Sequence, residues 1–114
     1  MAGTAKRIAG PAYIANAATD IYTPPASTIY TKIRQIIVAN KTNAAATFTL
    51  YIGATGGSAG GTELLGLSVS VPANSSIPYF FADLVMKSTD FLSGIASAAS
   101  TLTITVIGTQ EVIP

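Results

Sequence analysis

Alternation of apolar and polar residues with a period of two restricts this chain more than any other feature. It is clearest between Ile29 and Gly53, IYTKIRQIIVANKTNAAATFTLYIG. The stretch from about Thr31 to Asn40 is dense in Ile and Val, which suit a pleated, half-buried backbone. Lys41-Thr42-Asn43-Ala44 then reads as a polar turn, with Asn43 the residue that accepts a left-handed backbone at little cost. Beyond it Phe48, Leu50 and Ile52 point one way and Thr47, Thr49 and Tyr51 the other. The two strands are expected to form a hairpin that serves as the spine of a β-sandwich. Ile33 and Ile37 share one parity while Ile36 and Val38 take the other. The first strand is therefore either central and covered on both faces or bulged.

The same period recurs along the chain. Asp20-Ile21-Tyr22-Thr23 alternates and stops at Pro24-Pro25, which predicts a strand end or an edge position. Leu65, Leu67, Val69 and Val71 alternate with Gly66, Ser68 and Ser70. Ile77, Tyr79 and Phe81 oppose Pro78 and Phe80, and Pro78 predicts another edge because it has no N–H to donate. Leu84-Val85-Met86, Phe91 to Ser97 and Thr101 to Val112 supply the remaining strands, with Asp90 expected to accept backbone hydrogen bonds in the turn after Lys87. No window favours the helical period. The predicted fold is a single-domain, all-β, antiparallel β-sandwich, jelly-roll-like, over residues 19–114. Residues 1–18 read as an N-terminal arm or leader, broken by Gly10-Pro11, with Tyr13-Ile14-Ala15 as a short edge strand.

Reactive chemistry has little to work with. The chain has no Cys and no His, which removes disulfides, thiolate metal sites and Ser-His-Asp triads. Asp20, Glu63, Asp83, Asp90 and Glu111 are scattered, and no loop gathers oxygen donors as a calcium site does. The glycine-rich run GATGGSAGG, Gly53 to Gly61, lacks the Lys-Ser/Thr of a phosphate loop and reads as a hairpin tip or mobile connection. Asn40-Lys41-Thr42 and Asn74-Ser75-Ser76 match glycosylation sequons by coincidence, since no export signal is visible. No membrane span is expected either. The expectation is a protein that is not an enzyme, with no catalytic residues, cofactor or metal.

Charge points to surfaces instead. Charged residues make up 10% of the chain, against about 25% in an ordinary soluble domain. Few charges are left to guard edge strands, so much of the surface is expected to be covered by other subunits. The candidate contacts are Lys6, Arg7 and Ile8 on the arm, whichever of Ile36 and Val38 faces outward, and Phe80 beside Phe81. Lys32 and Arg34, with Lys41 near, suggest a small basic patch, but a pI near 8.0 falls short of a nucleic-acid binder.

Ile21-Tyr22-Thr23-Pro24-Pro25-Ala26, Ile33, Ile37, Asn40-Lys41-Thr42 and Ala44 to Ile52, then Val71-Pro72-Ala73-Asn74-Ser75, Met86 to Ser97 and Leu102 to Val112, form a pattern of strands and turns. That pattern resembles small virion structural proteins of tailed bacteriophages. The resemblance spans Thr19 to Val112, and departs from the family where Thr89 replaces the usual glycine before Asp90. It implies a non-enzymatic virion protein, foremost a capsid decoration (cement) protein that binds and stabilises the shell after assembly in the host cytoplasm. Its partners would be the major capsid protein or other virion proteins and further copies of itself, taken as a trimer. The alternatives are a neck, tail or fibre component, or a sugar- or receptor-binding module using Tyr30, Tyr51 or Tyr79 beside the Gly53–Gly61 loop.

Overall fold

A computed structural model describes residues 6–17, 19–24, 28–53, 63–87 and 89–112. Eight strands run β1 (Lys6–Tyr13), β2 (Thr19–Tyr22), β3 (Thr28–Asn40), β4 (Ala46–Gly53), β5 (Glu63–Val71), β6 (Ser75–Lys87), β7 (Phe91–Ala96) and β8 (Leu102–Val112). They form two antiparallel four-stranded sheets, sheet I in the order β1-β8-β3-β6 and sheet II in the order β2-β7-β4-β5. The order is that of a jelly roll. The chain pairs like one long folded ribbon, β1 with β8, β2 with β7, β3 with β6 and β4 with β5, wrapped so that alternate pairs land in opposite sheets.

That wrapping corrects the expected hairpin. β3 and β4 do not pair with each other: β3 lies between β8 and β6 in sheet I, and β4 between β7 and β5 in sheet II. The connection arches from one sheet to the other, and an Asn40 side chain holds it. Its Nδ2 donates to the carbonyls of Ala44 (2.8 Å) and Val71 (3.1 Å), while its Oδ1 accepts from the N–H (2.9 Å) and hydroxyl (2.7 Å) of Thr42. The Asn74 N–H closes the cluster by donating to the Thr42 carbonyl at 2.9 Å. The left-handed backbone expected at Asn43 occurs instead at Asn74 (φ 53°) and Ser100 (φ 57°), in the turns after β5 and β7.

Inward residues of the two sheets meet as the period of two requires. Ile33, Ile36 and Val38 of β3, Leu102, Ile104 and Val106 of β8 and Met86 of β6 face Phe48 and Leu50 of β4, Leu92 of β7 and Val71 of β5, all buried. Full burial of an aliphatic or aromatic side chain of this size stabilises by about 1.5–3 kcal/mol. Ile33 and Ile36 both reach the core across an odd spacing because β3 is bulged. Ile33 pairs with Gly108 and Gln35 with Ile107, leaving Arg34 as the extra residue. On the other side, Ile33 pairs with Leu84 and Gln35 with Phe80, so β6 is irregular at the same level. Gly108 is required there, because a Cβ on it would lie 2.1 Å from the Lys32 carbonyl oxygen.

Residues 1–5 of the expected arm lie outside the described residues, while β1 and Ile14 within it are part of the sandwich. β1 pairs with β8 at the edge of sheet I, and Ile14 is buried in the core. The Ile14 N–H donates to Leu102 in sheet I, and the neighbouring Ala15 carbonyl accepts from Ala96 in sheet II, both at 2.8 Å. A second tie is polar: the Tyr22 hydroxyl of β2 lies 3.0 Å from Thr31 Oγ1 of β3 and accepts from Gln110 Nε2 of β8. The four edge strands are short or interrupted, and each also carries at least one charged residue. β1 contains Pro11 and β6 contains Pro78, β2 has four residues, and β5 turns left-handed at Leu65 and Ser68.

A candidate interface on the outer face of sheet I

With every edge interrupted, a surface contact is left to the faces of the sheets, and the two faces differ in kind. Directly paired residues on neighbouring strands point to the same side. Ile36 and Val106 pair and are both buried, so Gln35, Ile37, Thr105 and Ile107 face outward. One outward row runs Phe80, Gln35, Ile107, Arg7 across all four strands. The next contains Pro78, Ile37 and Thr105, and the one beyond it Ser76, Ala39, Thr103 and Tyr13. Past the bulge, Val85, Lys32 and Thr109 form a further outward row.

The three large hydrophobic side chains most exposed among the described residues all lie on this face: Phe80 at 73%, Tyr13 at 51% and Val85 at 49%. Water contact at three such positions on one sheet, with Ile37 and Ile107 half-covered between them, concentrates exposed apolar surface on this face. Cations are interspersed with it. Arg7 ends the Phe80 row, Lys32 sits beside Val85 with its ammonium 5.5 Å from the Tyr30 ring, and Lys41 lies 4.8 Å over the Tyr13 ring while donating to its hydroxyl. All six Lys and Arg of the sequence fall on β1, β3, β6 or the residue after β3; sheet II has none. With Asp83 and Glu111 subtracted from Lys6, Arg7, Lys32, Arg34 and Lys87, the strands of sheet I carry a formal charge of +3, and Asp20 and Glu63 give those of sheet II −2; Lys41 and Asp90, in the connections, cancel, which leaves the chain's +1.

Sheet II presents hydroxyls outward and satisfies them locally. Thr49 Oγ1 accepts from the Ser68 N–H at 2.9 Å, and Ser97 Oγ from the Thr47 N–H at 3.1 Å. One register row there reads Glu63, Tyr51, Ser93, Asp20, with a carboxylate residue at each end.

Of the residues singled out from the sequence, Phe80 and Arg7 lie on the outer face of sheet I and are exposed. Lys6 pairs with Gly108, and its side chain lies outside the described residues. Ile8 is half-buried and packs against the core. Ile36 and Val38 are corrected outright: both are 0% exposed, because the bulge at Arg34 turns this pair inward and Ile37 outward. Tyr13, Val85, Ile37 and Ile107 were missed, since the alternation shows parity but not which parity is wet until the bulge is placed. The tyrosines of the sugar-binding alternative do not converge. Tyr79 points between the sheets, edge-on to Phe48 with ring centroids 6.3 Å apart, Tyr51 faces out from sheet II and Tyr30 out from sheet I. The Gly53–Gly61 loop lies, beyond Gly53, outside the described residues.

The remaining features carry less chemistry. Asp90 Oδ2 accepts from the Lys87 N–H at 2.9 Å, the turn role expected of it. Asn40 is 2% exposed with its amide nitrogen engaged twice, so its sequon offers no accessible nitrogen. Among the described residues, no three His, Cys, Asp or Glu side chains gather as a metal site needs, and no helix is long and apolar enough to cross a membrane. A cleft of about 120 Å³ opens between β1 and β2 beside Gly10, Ile21 and Gly94, and a shallow polar dish of about 370 Å³ lies beside Asn40 and Asn74. No protein-family model, no curated protein and no solved structure matches the chain.

Proposed function

We propose that this protein is a non-enzymatic structural component of a tailed-phage particle, a decoration protein that seats the outer face of sheet I on the capsid shell. The observation that carries the reading is the gathering of Phe80, Tyr13 and Val85 on one face while all four sheet edges are interrupted. An interrupted edge resists strand addition, so association proceeds through a face. Four strands about 4.8 Å apart and on average about 37 Å long give that face roughly 700 Å², close to the area per partner of a standard protein interface. The jelly roll is a fold of viral capsid domains among others, and it serves many functions, so the fold supports the reading without deciding it. The sequence resemblance to virion proteins adds the particle as the setting. Many copies on one shell, as a homo-oligomer such as a trimer, gain strength by multivalency even where each contact is weak.

Mass spectrometry of purified particles tests the reading. The protein is expected in the particle at hundreds of copies. A dozen or fewer copies moves it to the neck or tail, and absence from the particle refutes it.

A further inference from the structure

The charge asymmetry between the two sheets says what kind of surface the outer face of sheet I meets. We infer that its partner is an acidic protein surface with an apolar recess that receives Phe80, a conclusion that rests on the docking reading above. A +3 side cannot approach a basic partner without like-charge repulsion, and placing five of the six cations on one sheet, with Lys41 beside it, steers encounter through that side. The exposed apolar side chains stand on the edge strands, Phe80 and Val85 on β6 and Tyr13 on β1, with Lys32 and Arg34 on the interior strand β3 between them, so the face offers apolar and cationic contacts side by side. A nucleic-acid footprint calls for a more basic domain than one of pI near 8.0.

A second copy of the chain would satisfy the charges in sign, since the strands of sheet II carry −2. The two faces are on opposite sides of the sandwich, however, so copy-on-copy stacking does not close and would run on as a filament. A partner of different surface meets the same charge requirement and ends the assembly after one contact.

The test uses particles of the encoding phage made without this gene, titrated with the full-length chain at about 0.1 M and about 1 M salt, between which the Debye length falls from ~10 Å to ~3 Å. Binding is expected to weaken at least about tenfold at the higher salt. Lys32→Glu is expected to weaken it about tenfold at low salt and hardly at all at high salt. Phe80→Ser should weaken it about thirtyfold at both, as loss of a buried aromatic anchor does. Ser70→Lys, on the exposed outer side of sheet II, should change neither. Salt-independent binding that Lys32→Glu leaves intact overturns the acidic partner while keeping the docking reading. Tighter binding to double-stranded DNA than to the particles, or filaments growing with concentration from the chain alone, also overturns it. No binding of the unmodified chain at either salt refutes docking itself.

Discussion

Asn40→Ala removes the side chain that carries the backbone from sheet I to sheet II, and its cost can be worked from the contacts. Asn40 is 2% exposed and makes four hydrogen bonds, two donated by Nδ2 to the Ala44 and Val71 carbonyls and two accepted by Oδ1 from Thr42. They do not all count. The Thr42 hydroxyl has one proton and a second acceptor in reach, the Ala44 carbonyl at 2.9 Å, so in the variant it turns there and restores one partner. Ala44 is exposed and also finds water. What remains lost is the bond to the carbonyl of buried Val71 and the bond from the Thr42 N–H. At about 1–1.5 kcal/mol each for partly buried groups left unpaired, the expected loss is roughly 2–3 kcal/mol. For a domain of this size that lowers Tm by about 8–12 °C. Urea unfolding is the assay, with the midpoint shifted and the slope unchanged, since the surface exposed on unfolding is the same. Asn40→Asp separates the hydrogen bonds from mere volume. It keeps the acceptor for Thr42 but points a buried carboxylate at two carbonyls, so its folded pKa rises above the unfolded value. It therefore loses more than Asn40→Ala at neutral pH and recovers as pH falls and the carboxyl protonates. An Asn40→Ala variant within about 0.5 kcal/mol of the parent, or an Asn40→Asp variant with no gain in acid, would refute the network as the hold on the arch.

Other expectations concern the bulge and the core. Ile36→Lys buries an unpaired charge at a 0% exposed position and is expected to unfold the monomer, whereas Ile37→Lys, one residue on and outward, should cost under about 1 kcal/mol; circular dichroism and urea unfolding compare them. Gly108→Ala drives a methyl group into the Lys32 carbonyl, 2.1 Å away, and should cost about 2–3 kcal/mol by the same unfolding assay. Burial raises the Tyr79 phenol pKa above 10.0. Above about pH 10 the unfolded chain releases that proton first, so this contribution to stability is whole below pH 10 and falls as pH rises through the folded value. Tyr79→Phe should remove that part of the alkaline loss in a pH series while keeping the edge-on contact with Phe48.

How far the fold is legible in the sequence follows from what alternation encodes. A period of two marks a strand and its two faces, so β8 was readable from Leu102, Ile104 and Val106 against Thr103 and Thr105, and Pro24-Pro25 and Pro78 marked real edges. Pairing is not in the period. The connection between β3 and β4 has the length and polarity of a hairpin loop, and the crossing is set by Asn40, whose partners Ala44 and Val71 lie four and thirty-one positions away. An Asn before a Lys-Thr-Asn run looks like turn punctuation, whatever its side chain reaches. The bulge was foreshadowed by the conflict between Ile33 and Ile36. Its position depends on Gly108, a glycine on another strand that nothing local connects with Arg34.

The candidate face was half legible for a related reason. Phe80 beside Phe81 forces one aromatic outward whatever the register, so Phe80 stood out without a structure. Tyr13, Ile37 and Val85 join it only once β1, β3 and β6 are known to share a sheet. Charge behaves the same way. Ten percent charged residues reads as a bare surface when averaged over the chain, yet the topology collects five of the six cations on one sheet. A low charge count distributed evenly leaves a protein without orientation in a field. The same count divided as +3 and −2 across the sandwich orients it at distances of about a Debye length, before any apolar contact forms. Scarcity of charge and directed docking are thus compatible, because steering depends on where the charges are and adhesion on what lies between them.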